Sequence, residues 1–251
     1  MCSGDDVERN LAVTASLLQE AAAAGARLAV LPENFAFMSA DDAGKRAIAE
    51  PEETSHVLAF LSRQAAEHAM TIIGGTVALC SADAGMIRNT CPVFDADGEC
   101  IGSYDKIHLF DVDLERESYR ESEVVLPGDR PEIVNMEHWN MGLGICYDLR
   151  FPELFRHYSA HGCNLFALPA AFTVPTGMAH WEILLRARAI ENQAYVLAAA
   201  QSSGKGAHPG GRKTWGHSMI IDPWGDILAS LDEGEGVVTA ELSPDIILRV
   251  R

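Results

Sequence analysis

Helical and strand-like segments alternate from one end of this chain to the other, a pattern that commits it to a mixed α/β architecture. Val7, Leu11, Leu18 and Ala21 recur at helical spacing between Asp6 and Ala24, and Gly25 stops that helix just before an apolar run, Leu28 to Leu31, of strand character. A second helix is expected from about Glu52 to His68. Strands are expected near Thr71 to Leu79, Asn89 to Phe94 and Glu99 to Asp105, the last two joined by a turn at Asp95-Ala96-Asp97-Gly98. A long helix from about Met178 to Gln193, a strand at Tyr195 to Ala200 and a strand pair turning at Asp222-Pro223-Trp224-Gly225 complete the series. No linker or low-complexity stretch divides it, so residues 1–251 read as one domain, and with 48% hydrophobic residues a core of that size is readily filled.

Within this series one segment carries chemistry of its own. Met141-Gly142-Leu143-Gly144-Ile145-Cys146 reads as a short apolar strand, and Tyr147-Asp148-Leu149-Arg150-Phe151-Pro152-Glu153 then turns into a helix, with Pro152 where a first helical turn tolerates it. A thiol on a sharp strand-to-helix turn stands above the sheet edge, and the backbone N–H groups that follow, Tyr147 first, are aimed at whatever the sulfur attacks. Two further segments end strands in ionisable groups. Leu28 to Leu31 runs into Pro32-Glu33-Asn34, which sets a carboxylate at the carboxyl end of a buried strand, where open α/β sheets place their chemistry; Glu33 is a candidate general base. In Tyr104-Asp105-Lys106-Ile107-His108-Leu109-Phe110-Asp111, Lys106 closes another strand among apolar neighbours.

Leu31-Pro32-Glu33, Tyr104 to His108 and Gly144 to Glu153, in this order and at these separations, resemble the nitrilase superfamily of carbon-nitrogen hydrolases. His180-Trp181-Glu182 with Arg186-Ala187-Arg188-Ala189, and Gly216-His217-Ser218 through Asp222-Pro223-Trp224-Gly225, extend the resemblance through nearly the whole chain. These later blocks are most similar to the Nit branch of small-amide hydrolases, which contains deaminated glutathione amidase and omega-amidase. Ala198-Ala199-Ala200-Gln201 and Trp215-Gly216-His217-Ser218 lean toward the former.

The resemblance implies a four-layer α-β-β-α sandwich that dimerises into an eight-layer arrangement, and a Glu33, Lys106 and Cys146 catalytic set with Glu121 as its second glutamate. The chemistry asks for each member. A thiol with an ordinary pKa of about 8.5 is mostly protonated at neutral pH, so Glu33 takes its proton. A carboxylate is a weak base at about 4.3, and burial beside another acid is the means of raising it. Charge on the carbonyl oxygen is met by the Lys106 ammonium and the Tyr147 N–H. Ammonia leaves from a thioester, which a water activated by Glu33 then hydrolyses. The implied reaction is hydrolysis of a small linear carboxamide, with deaminated glutathione favoured. Omega-amidase, carbamoyl-amide hydrolase and nitrilase activities use the same set, and a catalytically silent scaffold is the reading of another class. No cofactor or metal is called for.

Other residues are assigned by place. Arg150 and Glu153 are expected to pair and hold the elbow, and Glu182 to orient the catalytic set from the start of its helix. Phe172, Thr173 and Met178 are expected to border the pocket, and Arg212 and Lys213 to meet an anionic substrate from the loop 204–213. That loop lacks the spacing of a phosphate cradle and reads as a flexible rim.

A net charge of -17 argues against nucleic acid or an anionic membrane surface as partner. The six cysteines form no C-x-x-C pair and no zinc spacing with the nine histidines, which suits a reduced cytoplasm. No apolar run approaches the roughly 20 residues of a membrane span, and Asp5, Asp6 and Glu8 are unlike a signal peptide. Set against the resemblance, the chain lacks a first strand before its first helix and a C-terminal tail beyond Arg249-Val250-Arg251. Both omissions would expose sheet edge and apolar surface.

Overall fold

The computed structural model describes residues 1–40, 42–83, 85–113, 118–204, 206 and 208–251. Helix α1 (Val7–Ala23) begins where the Asp6 carboxylate accepts the Arg9 N–H at 3.1 Å, a capping bond that satisfies one of the orphan donors of a helix start. It is followed by β1 (Leu28–Val30), the short α2 (Asp42–Ala47) and α3 (His56–His68), which Ser55 caps by accepting the Leu58 N–H at 3.2 Å. Next come β2 (Thr71–Ile73), β3 (Val77–Cys80), β4 (Ile87–Phe94) and β5 (Cys100–Asp105). The continuous strand expected over 71–79 is thus two strands, laid end to end along one edge of β4 while β5 takes the other edge. Gly75 is the reason for the break. Its φ is +57°, and a Cβ there would lie 2.2 Å from the Pro32 carbonyl oxygen, so the chain turns against the segment carrying Glu33.

The small hairpin β6 (Asp111–Asp113) and β7 (Ser118–Arg120) leads to β8 (Ile133–Asn135), β9 (Asn140–Leu143), α4 (Pro152–Ala160) and β10 (Leu165–Ala167). Helix α5 (Val174–Asn192) starts four residues before its expected beginning, with Pro175 in its first turn; β11 (Tyr195–Ala198), β12 (Ser218–Ile221), β13 (Ile227–Leu231) and α6 (Pro244–Val250) follow. The second sheet runs β13-β12-β11-β10-β9-β8, with β9, β10 and β11 parallel. Such parallel strands are buried on both faces, which is why Leu165-Phe166-Ala167 and Tyr195 to Ala198 are apolar without alternation.

The two sheets face each other. Ile73, Cys91, Val93 and Tyr104 of the first sheet share one buried cluster with Met141, Leu143, Leu165 and Val196 of the second. Helices α1 and α3 pack together on the outside of the first sheet, α4 and α5 on the outside of the second, which gives the α-β-β-α order. Glu33, Lys106 and Cys146 follow β1, β5 and β9, so two of them hang from the first sheet and one from the second.

Candidate active site

Cys146 opens a short 3-10 helix, Cys146–Arg150, directly after the extended residue Ile145, and its own φ is +49°. A side chain in this left-handed region carries strain of about 1–2 kcal/mol, which the surroundings must hold in place. Two sets of bonds do so. The Cys146 N–H donates to the Pro169 carbonyl at 2.8 Å. The fully buried Asp148 carboxylate accepts the Ile145 N–H at 2.8 Å, the Tyr104 hydroxyl at 2.8 Å and the His108 N–H at 3.0 Å, with His108 Nδ1 at 2.7 Å.

The thiol sits beside a buried charge cluster. Lys106 Nζ donates to Glu33 Oε1 at 3.0 Å and to Glu121 Oε2 at 2.8 Å, and all three side chains are at most 5% exposed. Asn89 Nδ2 bridges the same two carboxylates, at 3.2 Å to Glu33 Oε1 and 3.3 Å to Glu121 Oε1. The Phe110 N–H adds a third donor to Glu121, at 2.8 Å. Burial pulls the Lys106 ammonium toward neutrality, but Glu121, Glu33 and Cys146 outweigh it and raise its pKa well above the ordinary lysine range. Burial likewise pushes Glu121 up, and Lys106, Lys45 and the hydrogen bonds reverse that and hold it ionised well below the usual carboxylate range. For Cys146, burial and then the Glu33 charge push the thiol far above its ordinary range, against the pull of Lys106 and of the Ala171 N–H. Burial and the Glu33 charge thus favour the thiol over the thiolate at Cys146.

Around this cluster a cleft is lined by Glu33, Lys106, Glu121, Cys146 and Tyr147, with Arg150, Phe172, Thr173 and Arg212 also on its wall. Four expected positions fall elsewhere. Arg150 does not pair with Glu153, which is exposed on the first turn of α4; its guanidinium instead lies 5.6 Å from the Tyr147 ring centre and 5.4 Å from that of Phe172, with Nη1 3.2 Å from His180 Nδ1. The elbow is held by Arg188 of α5, whose Nη2 and Nε donate to the Leu149 carbonyl at 2.7 and 3.2 Å. Glu182 is exposed and pairs with Arg186 at 3.3 Å, away from the catalytic set, because the buried stripe of α5 runs through Gly177, Trp181 and Leu185 and the next residue turns outward. Met178, 67% exposed, leaves the cleft for the same reason. Lys213 is exposed, while its neighbour Arg212 lies 5.5 Å from the Tyr119 ring centre.

The loop bearing Arg212 is fastened rather than loose from His208 onward. That buried ring is 2.8 Å from the Ser3 carbonyl through Nδ1 and 2.7 Å from Thr214 Oγ1 through Nε2; Lys205 and Ala207 lie outside the described residues. Asn89, Asp148, Arg188 and Lys45 were not anticipated as site residues. Asn89 sits between Arg88 and Thr90 in β4, so no local pattern sets it apart. Among the described residues, no group of three or more His, Cys, Asp or Glu is placed to hold a metal ion.

Comparison with known proteins places this geometry. The family model described as carbon-nitrogen hydrolase matches residues 2–251. A deaminated glutathione amidase of Synechocystis sp. is 41% identical over 256 residues, an alignment covering 100% of this chain and 92% of that protein. The omega-amidase NIT2 of Homo sapiens is 37% identical over 244 residues, covering 96% of this chain and 86% of that protein. Among solved structures, Nit3 of Saccharomyces cerevisiae, a member of branch 10 of the nitrilase superfamily, superposes with a TM-score of 0.87 at 33% identity, covering 99% of this chain and 89% of that one.

Proposed function

Because the chain belongs to the carbon-nitrogen hydrolase family and is a hydrolase of amide carbon-nitrogen bonds, we propose that Glu33, Lys106 and Cys146 carry the reaction, with Glu121 fixing Lys106. The observation that carries this reading is the buried Lys106 ammonium bonded to two carboxylates on the cleft that also holds Cys146. As Sγ attacks the amide carbon, the S–H proton passes to Glu33 and the carbonyl electrons move to oxygen. Lys106 and the Tyr147 N–H, near the start of the elbow helix, stabilise that oxyanion. Glu33 returns the proton to nitrogen, the carbon-nitrogen bond breaks, and the amine, ammonia where the amide is primary, leaves a thioester on Cys146. Glu33 then takes a proton from water as its oxygen attacks the thioester, and gives it back to sulfur as the carboxylic acid departs.

The substrate we propose is deaminated glutathione, a 2-oxo acid amide extended through cysteinylglycine. Arg150, Arg212 and Lys45 give the cleft a cationic wall in a chain of net charge -17, which suits an anion with carboxylates away from the reacting carbon. The smaller 2-oxoglutaramate is the second reading, supported by the omega-amidases among the relatives. Amine release from a panel of amides tests both, read as cysteinylglycine from deaminated glutathione and as ammonia from 2-oxoglutaramate. Hydrolysis of the peptide-bearing amide is the expected result, and release from nitriles alone would overturn the amidase reading.

The reading extends to assembly and place. Ile183 and Ile190, 70% and 50% exposed, lie seven residues apart on one face of α5, and Trp224, 72% exposed, precedes Gly225, which abuts Ile190. Such a surface suits burial against a second copy, and light scattering is expected to return a dimer. All six cysteines are free, which supports a reducing cytoplasm, and no helix of the described residues is long and apolar enough to cross a membrane.

A further inference from the structure

We infer that His208 is a positioning residue for substrate capture: its buried ring fixes the turn that carries Arg212 between two walls of the cleft, so that Arg212 meets a substrate carboxylate while the amide carbon lies at Cys146. The inference rests on the reading above, in which Arg212 faces an anionic substrate.

His208 is 5% exposed and stands behind the cleft rather than on its wall. Its Nδ1 faces the Ser3 carbonyl, which can only accept, so Nδ1 carries the proton and Nε2 accepts from the Thr214 hydroxyl. Both nitrogens are thus used by the neutral ring. Burial lowers its pKa against the pull of the Ser3 carbonyl, and the nearby Arg212 charge acts in the same direction as burial. The backbone of the same residue closes the turn: the His208 N–H donates to the Arg212 carbonyl at 2.8 Å, and the His208 carbonyl accepts the Gly211 N–H at 3.1 Å. Gly210, at a φ of +72°, lets this turn lie against Ala40, since a Cβ there would stand 2.8 Å from that of Ala40.

The two ring bonds lead to two different walls. Ser3 donates from Oγ to the Phe35 carbonyl at 2.7 Å, and the buried Gln201 amide donates to Ser3 Oγ at 2.8 Å and to the Asn34 carbonyl at 3.3 Å. This side therefore runs into the segment Glu33-Asn34-Phe35. Thr214 pairs with Thr173 in an isolated antiparallel bridge, and the Trp215 N–H donates to the Phe172 carbonyl at 2.9 Å. That side runs into the wall just past Ala171, whose N–H reaches Cys146. A chain of buried hydrogen bonds holds one geometry, because breaking any member leaves a polar group without a partner and away from water. Arg212, with Nε buried and no acceptor for it among the described residues, is the group this frame brings to the cleft.

Steady-state kinetics with deaminated glutathione, together with limited trypsin digestion read by mass spectrometry, test the inference. In His208→Ala, KM is expected to rise about five- to tenfold with kcat within about a factor of two of wild type, and cleavage after Arg212 and Lys213 to quicken. His208→Asn, whose side-chain N–H can still reach the Ser3 carbonyl, is expected to recover most of the wild-type KM. In an Arg212→Met background the change at His208 is expected to add nothing to KM, because the ring acts only through Arg212. An unchanged KM or unchanged cleavage in His208→Ala overturns the inference, as does a fall in kcat with KM unmoved, or full additivity with Arg212→Met. If His208→Ala does not fold, Thr214→Val removes the hydroxyl that faces Nε2 and is expected to raise KM about threefold, again without additivity; failure to do so overturns the inference. Arg212→Met with an unchanged KM would instead sink the reading that Arg212 captures the substrate, and the role of His208 with it.

Discussion

The Asp148 carboxylate accepts the backbone N–H of His108 at 3.0 Å and the Tyr104 hydroxyl at 2.8 Å, and these bonds fasten the segment carrying Lys106 to the elbow carrying Cys146. The same carboxylate holds Ile145, immediately before Cys146, so one buried acid registers the Lys106 segment against the sulfur. Its four contacts use the acceptor capacity of an ionised carboxylate nearly in full.

Replacing Asp148 by Asn keeps the shape but turns one acceptor oxygen into a donor group that faces other donors. Turnover is expected to fall by roughly 10² through misplacement of about an ångström, with a stability loss of about 1–3 kcal/mol. Thermal denaturation and single-turnover kinetics measure the two effects. A variant with wild-type turnover would show that the Asp148 tether does not govern the geometry of attack.

Cys146→Ala and Cys146→Ser are each expected to reduce turnover by about 10³-fold or more, since members of a catalytic unit lose most of the rate singly. The wild-type protein should trap an acyl adduct on this sulfur. Mass spectrometry that found the adduct on Cys163 or Cys100 would remove Cys146 from the chemistry.

Lys106→Met takes away the charged oxyanion donor and is expected to cut kcat by about 10² to 10³. Glu33→Gln keeps the hydrogen-bonding shape but blocks proton transfer in both half-reactions. Steady-state kinetics decide the assignment: a change confined to KM moves either residue from chemistry to binding.

Arg212 and Lys213 are adjacent in sequence and differ in setting, which makes them a paired test of substrate capture. Arg212 lines the cleft, and its Nε is buried with no acceptor among the described residues, whereas Lys213 is exposed. Arg212→Met is expected to raise KM for deaminated glutathione about tenfold or more, and Lys213→Met to leave it within a factor of two or so. Equal effects would place the substrate carboxylates elsewhere. For the wild type, kcat/KM should be higher for deaminated glutathione than for 2-oxoglutaramate, because the peptide portion supplies remote binding energy; the reverse order selects omega-amidase.

Glu33 and Lys106 were legible as candidates because each closes a strand with an ionisable group among apolar neighbours. The elbow was legible in the apolar run before Cys146 and the proline after it. Glu182 and Met178 were misplaced for a reason that periodicity alone does not resolve: each follows a buried residue of α5 by one position, and a step of one residue turns a side chain about 100° around the helix. Arg150 and Glu153 have i,i+3 spacing, but Pro152 starts a new helix between them, so the spacing does not bring them together. Asn89 and Lys45 come to the cleft across folds of the chain, one from a strand interior and one from a six-residue helix, and nothing local marks either of them. The division of the 71–79 strand follows from contact between Gly75 and Pro32, a long-range cause that no local pattern carries.

Glu33 and Lys106 are suspended from one sheet and Cys146 from the other, which makes the catalytic distance a caliper reading of the gap between them. Side chains such as Val93 and Leu143, buried in the cluster shared by the two sheets, act as its spacers. Thinning a spacer lets the jaws close unevenly, and an error of an ångström at the tips costs about 10²-fold in rate even where the protein stays folded. Natural variation in that interior is therefore expected to register as altered turnover before it registers as lost structure.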